Sequence, residues 1–161
     1  MWDGRPVDRP AVEDSRPPNG VLRFVNPVVM ALLRSKRLHR LASRNLILLT
    51  VTGRKSGRSY SMPVTRHEQP DGTLVVSAAG AWRHNLQDGA EVRVTLDGQE
   101  RTAHVSVERD PVRATAVFRE LLEHTNARAV GVKVNVKHAP TLDEIKPVLA
   151  QRVIAYLTLG N

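Results

Sequence analysis

Three short stretches of this chain carry side chains whose types and spacing suit binding chemistry. The first is Thr52-Gly53-Arg54-Lys55-Ser56-Gly57-Arg58, where two glycines allow a tight turn crowded by three cations and a hydroxyl. Converging N–H groups and guanidinium forks match phosphate oxygens, so the stretch reads either as an anion-binding turn or as a solvated basic hairpin. The second is Ser77-Ala78-Ala79-Gly80-Ala81, small residues where a strand should be turning. Small side chains let another body approach the backbone, either a ligand or a packed helix. The third, Trp82-Arg83-His84-Asn85-Leu86, reads as a short helical turn carrying one aromatic and one fixed cation. Trp82 there is either a core or lid residue or a stacking surface.

The remaining polar side chains offer little proton-transfer machinery. Histidines stand at 39, 67, 84, 104, 124 and 138, without His-x-His or His-Glu-x-x-His spacing, so no metal site is expected from sequence. No Gly-x-Ser-x-Gly elbow occurs, and the Gly53–Gly57 turn lacks the spacing of a Walker phosphate loop. Asp71, Asp88 and Asp97 all sit beside glycine in turns, which leaves no evident carboxylate pair. With no cysteine, thiol chemistry is excluded. Such an inventory suits a protein whose chemistry belongs to a bound cofactor.

The 161 residues, 41% of them hydrophobic, are enough for one domain with a core. A net charge of +8 points to anionic partners without choosing among phosphorylated cofactors, nucleic acid and acidic membrane. Residues 1–20, with four prolines among charges, read as a flexible arm ahead of a single domain over 21–161. Asn26-Pro27 looks like a helix start, and Val28, Val29, Leu32, Leu33, Leu38 and Leu41 follow at helical spacing. This basic amphipathic Pro27–Ala42 helix either packs across a sheet or lies on anionic lipid. No run reaches the ~18 apolar residues of a membrane span, and the N-terminus lacks a signal-type apolar core, so a cytoplasmic location is expected.

Beyond the helix, Leu46–Val51 and Ser59–His67 flank the basic turn, with the second strand closed by Pro63. A turn at Gln69-Pro70-Asp71-Gly72 leads to a strand at Thr73–Ser77. Glu91–Leu96 and Gln99–Val107 alternate around Asp97-Gly98, a strong hairpin signal. Asp110-Pro111 opens a helix to about Thr125, directed inward by Val117, Leu121 and Leu122. Residues 129–137 fit a strand or a loop; Thr141–Glu144 has the form of a capping box, and Gln151–Leu159 closes as a strand. The expected fold is mainly β with helices (α+β): a split antiparallel β-barrel of about six strands, an N-terminal amphipathic helix and a late helix.

The order of apolar strand, Thr-Gly-Arg-Lys-Ser-Gly-Arg turn, Pro63, Asp71-Gly72 hairpin, Val-Val-Ser and Trp82-x-x-Asn85-Leu86 resembles the deazaflavin-dependent nitroreductase family. Asn26-Pro27, Leu32-Leu33 and Leu38-His39-Arg40-Leu41 are similar to that family's entry helix. The resemblance runs from about residue 21 to 108. It implies a split barrel that binds coenzyme F420 and passes hydride to a small organic acceptor: a quinone, an enone or a nitro compound. Carried over by position, Arg54, Lys55 and Ser56 would hold the phosphate and acidic tail. Met62, Pro63 and Val64 would line the deazaflavin edge. Ser77, Ala78 and Ala79 would offer backbone to the ring or phosphate, and Trp82, Arg83 and Asn85 would close the tail side. Tyr60 stands where one branch of the family carries arginine, with Arg58 as the substitute cation. The tyrosines that flank substrate in nitroreductases have no counterpart between His124 and His138, leaving His84 and His138 as candidate proton donors.

Other readings stay open: a non-catalytic deazaflavin carrier, or a barrel binding FMN or haem. A nucleic-acid-binding barrel is disfavoured, because base-stacking surfaces need several aromatics and these are 4% of residues. Many barrels of this type pair through a sheet face, which puts a homodimer among the expected partners.

Overall fold

A computed structural model describes residues 9–15, 19–38, 45–53, 55–79, 81–125 and 127–160, and the side chains at 19–26, 81–82 and 128–129 are not among the described parts. The chain runs β1 (Val12–Asp14), α1 (Asn19–Arg34), β2 (Leu46–Thr52), β3 (Ser59–Glu68), β4 (Leu74–Ala79), a 3₁₀ turn (Ala81–Asn85), β5 (Glu91–Leu96), β6 (Gln99–Val107), α2 (Pro111–His124), α3 (Ala127–Val130), β7 (Val132–Val134), α4 (Leu142–Leu149) and β8 (Arg152–Leu159). Six strands close into an antiparallel barrel in the order β2-β3-β4-β8-β6-β5, as the meander of short strands predicts.

Period-two alternation decides which side chains fill it. Ile47, Leu49, Val51, Val64, Leu74, Val76, Ala78, Val92, Val94, Ala103, Val105, Ala155 and Leu157 form the interior with Leu86. The opposite face of β4 and β8 turns Val75 and Ile154 into a second layer with Phe118 and Leu121 of α2, Ile145 and Val148 of α4, and Val12 and Val132. Phe118 is fully buried here, a core position that the inward stripe read from the sequence did not include.

β3 pairs with β2 along Ser59–Thr65 but with β4 only along Arg66–Glu68. The two strands therefore splay apart, which is the split in the barrel. Pro63 lies within β3 rather than at its end, opposite Leu48. A residue without an N–H is tolerated there because that stretch of β3 has a registered partner on one side alone.

Three sequence expectations are corrected in the connections. The helix begins at Asn19, so Pro27 sits inside it and Asn26 is not its N-cap. It ends at Arg34, with Lys36–Leu38 in a turn, so α1 does not run on as one helix from Pro27 to Ala42; residues 39–44 lie outside the described part. Val28 is exposed, whereas Leu33 is buried. Val12–Asp14, inside the stretch read as an arm, pairs antiparallel with Val132–Val134. The stretch 129–137 holds the end of a short helix (Ala127–Val130), the strand Val132–Val134 and irregular backbone beyond it. No helix of the described residues is long and apolar enough to cross a membrane.

Candidate functional site

The basic turn closes on its own backbone. Gly53 N–H donates to Arg58 O at 2.7 Å and Gly57 N–H to Gly53 O at 2.9 Å. Arg58 N–H donates to Ser56 Oγ at 3.2 Å, and that hydroxyl lies 3.3 Å from Tyr60 OH. These three amides are spent inside the turn, so an anion there would meet side-chain cations more than converging N–H groups. Lys55 and Arg58 are exposed and can turn to a ligand; Arg54 lies outside the described residues. Gly53 leaves room for these side chains: a Cβ would stand 2.8 Å from Ser56 Oγ and 2.9 Å from Tyr60 Cε2, so both would have to shift. The Tyr60 ring thus buttresses the turn from β3, although its side chain remains half exposed.

Along β3 the nominated residues divide between two faces. Val64 is registered opposite Ile47 and Met62 opposite Leu49, and all four belong to or pack on the barrel interior. Pro63 shares the opposite face with Ser61, whose hydroxyl is 2.8 Å from Thr50 Oγ1. Met62, Pro63 and Val64 therefore do not present a single side-chain wall; only the strand edge at the splay brings them together.

A similar division holds on β4. Ala78 faces the barrel interior and is fully buried. Ser77 Oγ accepts a hydrogen bond from Arg152 Nη1 at 3.3 Å. The backbones of Ser77, Ala78 and Ala79 pair with Ile154, Val153 and Arg152 of β8, leaving their far edge toward the splay. Gly80 lies outside the described residues, and of Trp82 only the backbone is described, in the 3₁₀ turn. Arg83 O caps that turn by accepting from Leu86 N–H at 3.1 Å, and Leu86 anchors it in the barrel core. Arg83 and Asn85 are both half-buried.

Of the candidate proton donors, His84 is exposed on the 3₁₀ turn. His138 Nε2 lies 3.0 Å from Glu144 Oε2, within the capping box of α4. The Thr141 N–H, and then His138, hold the Glu144 carboxyl below its ordinary range. His138 is accordingly committed to a helix start rather than to the splayed strands.

Arg152 is a buried residue that the sequence did not flag. Its guanidinium donates to Val130 O, Gly131 O, Asp14 Oδ1 and Ser77 Oγ, and sits 5.6 Å from the Phe118 ring centre. Nothing in Gln151-Arg152-Val153 distinguishes it, because its partners come from four distant parts of the chain. A groove of about 370 Å³ between α2, α4 and β8 is lined by Arg152 but by none of the nominated site residues.

The model of the F420H(2)-dependent quinone reductase family matches residues 26–138, a span that contains the basic turn, the splayed strands and the 3₁₀ turn. A solved structure described as a domain-swapped dimer is 14% identical, with a TM-score of 0.50 and 89% of this chain and 100% of that chain covered. Another, an F420-H2 dependent reductase (FDR-A), is 16% identical, with a TM-score of 0.48 and coverage of 73% and 95%. At 14% identity, the likeness to the domain-swapped dimer is one of fold alone. No curated protein matches the chain.

Proposed function

Since the chain belongs to the F420H(2)-dependent quinone reductase family, we propose that it reduces a quinone with hydride taken from the reduced deazaflavin coenzyme F420. The observation that carries this reading is the coincidence of the matched span with the basic turn and the splay of β3 from β4. The residues present fit an anionic deazaflavin: exposed Lys55 and Arg58 stand at the turn, and small residues line the free edge of β4. When bound, the coenzyme supplies the hydride.

The chain's own part is binding and orientation. Lys55, Arg58 and, by family position, Arg54 would hold the phosphate and acidic tail by charge-assisted contacts. Ser56 and Tyr60 keep the turn in shape. The backbone edges of Met62–Val64 and Ser77–Ala79 would flank the ring, and the turn bearing Trp82, Arg83 and Asn85 would close the tail side. Quinone is preferred over enone or nitro acceptors on chemical grounds. Hydride transfer to a quinone leaves an aromatic phenolate, with an ordinary pKa of about 10, a more stable anion than an enolate, so the transfer can precede protonation and water supplies the proton afterwards. No dedicated donor is then needed, in keeping with the commitment of His138 to α4.

Titration of the purified protein with oxidised coenzyme F420, with FMN in parallel, tests the reading by fluorescence. Binding of the deazaflavin alone is expected, with oxidation of the reduced form on adding a naphthoquinone under anaerobic conditions. Equal binding of FMN, or no binding of either, overturns it. Lys55→Ala with Arg58→Ala should weaken deazaflavin binding at least tenfold, about 1.4 kcal/mol, and leave the far-ultraviolet circular dichroism unchanged. An affinity within twofold of the parent would move the anion site elsewhere.

A further inference from the structure

Away from the splayed strands, His67 of β3 and Glu120 and His124 of α2 bring one ligand atom each to within 4.8 Å of one another. We propose that they form a binding site for a divalent transition-metal cation of the zinc class, stitching α2 to the outer face of the barrel.

Both elements place the ligands by their own periodicity. Glu120 and His124 are four residues apart on α2, hence on one helix face. His67 is registered opposite Val75, and Val75 opposite Tyr156, a cross-strand row whose Val75 and Tyr156 pack under α2 in the second layer. His67 Nε2 stands 3.5 Å from Glu120 Oε1. With metal bonds of about 2.0–2.2 Å, a tetrahedral site needs ligand atoms about 3.3–3.6 Å apart, so this pair already has the required spacing. The His67 and His124 rings lie 4.4 Å apart between centroids, tilted by 34°.

The protonation of His124 also suits the role. Its Nδ1 is 2.9 Å from Glu120 O, and a carbonyl oxygen only accepts, so Nδ1 carries the proton. The lone pair is then on Nε2, and the carbonyl acts as the orienting partner that metal-bound histidines usually have. His67 is mostly shielded, with 17% side-chain exposure, while Glu120 and His124 are exposed enough to admit the ion and complete the set by small rotations. Two imidazoles and a carboxylate match zinc and similar ions and leave a position for water. The helix spacing Glu120-x-x-x-His124 was visible in the sequence; the partner on β3 was not, because only the packing of α2 on the barrel supplies it.

The test is titration of tag-free protein with Zn²⁺ against a chromophoric chelator, together with the absorption spectrum of the Co²⁺ form. One Zn²⁺ per chain with Kd below about 10 µM is expected, and a rise in Tm with added Zn²⁺. His124→Ala and Glu120→Gln, both at exposed positions, should each weaken binding at least tenfold and remove the Tm response. His104→Ala, an exposed histidine on β6, should change neither. A wild-type Kd above that limit, or an affinity untouched by His124→Ala, overturns the site.

Discussion

Tyr156 shows how the second layer treats a polar side chain. Its ring is half-buried beside α2, and its hydroxyl donates to Glu108 Oε2 at 2.7 Å. Burial first, and the carboxylate next, push the phenol up to about 12 from its ordinary value near 10. Because the folded form holds this proton more tightly, its contribution is whole below pH 10 and is lost as pH rises toward 12. Denaturant unfolding across that window should show stability falling with pH, with a shallower fall in Tyr156→Phe. Identical slopes would mean that Tyr156 titrates alike in both states. Asp88 works in the other direction. The Val107 N–H at 2.6 Å, then Arg109, hold its carboxyl below the usual range. Its stabilising share is present above the unfolded carboxylate pKa and disappears as pH falls through the lowered folded value. Asp88→Asn should accordingly be less stable than wild type at pH 7, and the gap should narrow in acid, as measured by urea midpoints.

At the scale of elements, the β5–β6 hairpin and the end of α1 depend on one residue. Asp97 and Gly98 both have positive φ, 52° and 74°, as a two-residue turn between right-twisted strands requires. Gly98 also meets the chain after α1: a Cβ there would lie 2.7 Å from Lys36 Cα and 3.0 Å from Ser35 O. Gly98→Ala should therefore cost more than about 1 kcal/mol from backbone conformation alone, with the clash added, read as a lowered Tm; an unchanged Tm would refute both costs, and a fall no larger than the backbone share would show that the α1 end gives way. Asp110→Ala should cost about 1 kcal/mol, because its carboxylate accepts the Val112 N–H at 2.9 Å to start α2. Both devices were legible in the sequence, as Asp97-Gly98 and Asp110-Pro111, since turn and cap chemistry acts over a few neighbouring residues. The barrel strands were legible for a similar reason, their alternation being local. The start of α1 was not, because Asn26-Pro27 imitates a cap although the helix already begins at Asn19. Nor was the division of Met62, Pro63 and Val64 between two faces drawn from the motif, although period two alone implies it. The Val12–Asp14 strand was hidden because it gains its stability from a partner near the other end of the chain.

Across the whole molecule, the barrel and its outer layer meet at Arg152. Its side chain is 1% exposed and reaches Asp14 of β1 at 2.9 Å, Val130 O and Gly131 O beside β7, and Ser77 of β4. The guanidinium can serve all four because it is planar and offers five N–H donors; lysine has neither the fork nor the reach. Removing it leaves two backbone carbonyls without this donor and Asp14 without its counter-charge, even where a hydrophobic residue fills the volume. Breaking a buried pair on one side costs about 3–5 kcal/mol, and Asp14 is partly exposed, so Arg152→Met should fall at or below the lower end of that range. The loss should also be uneven. β1 and β7 pair with each other alone, so freeing Asp14 loosens a two-stranded sheet, whereas β4 and β8 stay held in the closed barrel. Amide exchange in Arg152→Met should accelerate first at Glu13–Ser15 and Val132–Asn135, with the β4 and β8 amides protected as before. Uniform acceleration would show that Arg152 supports the barrel itself rather than the join between its layers.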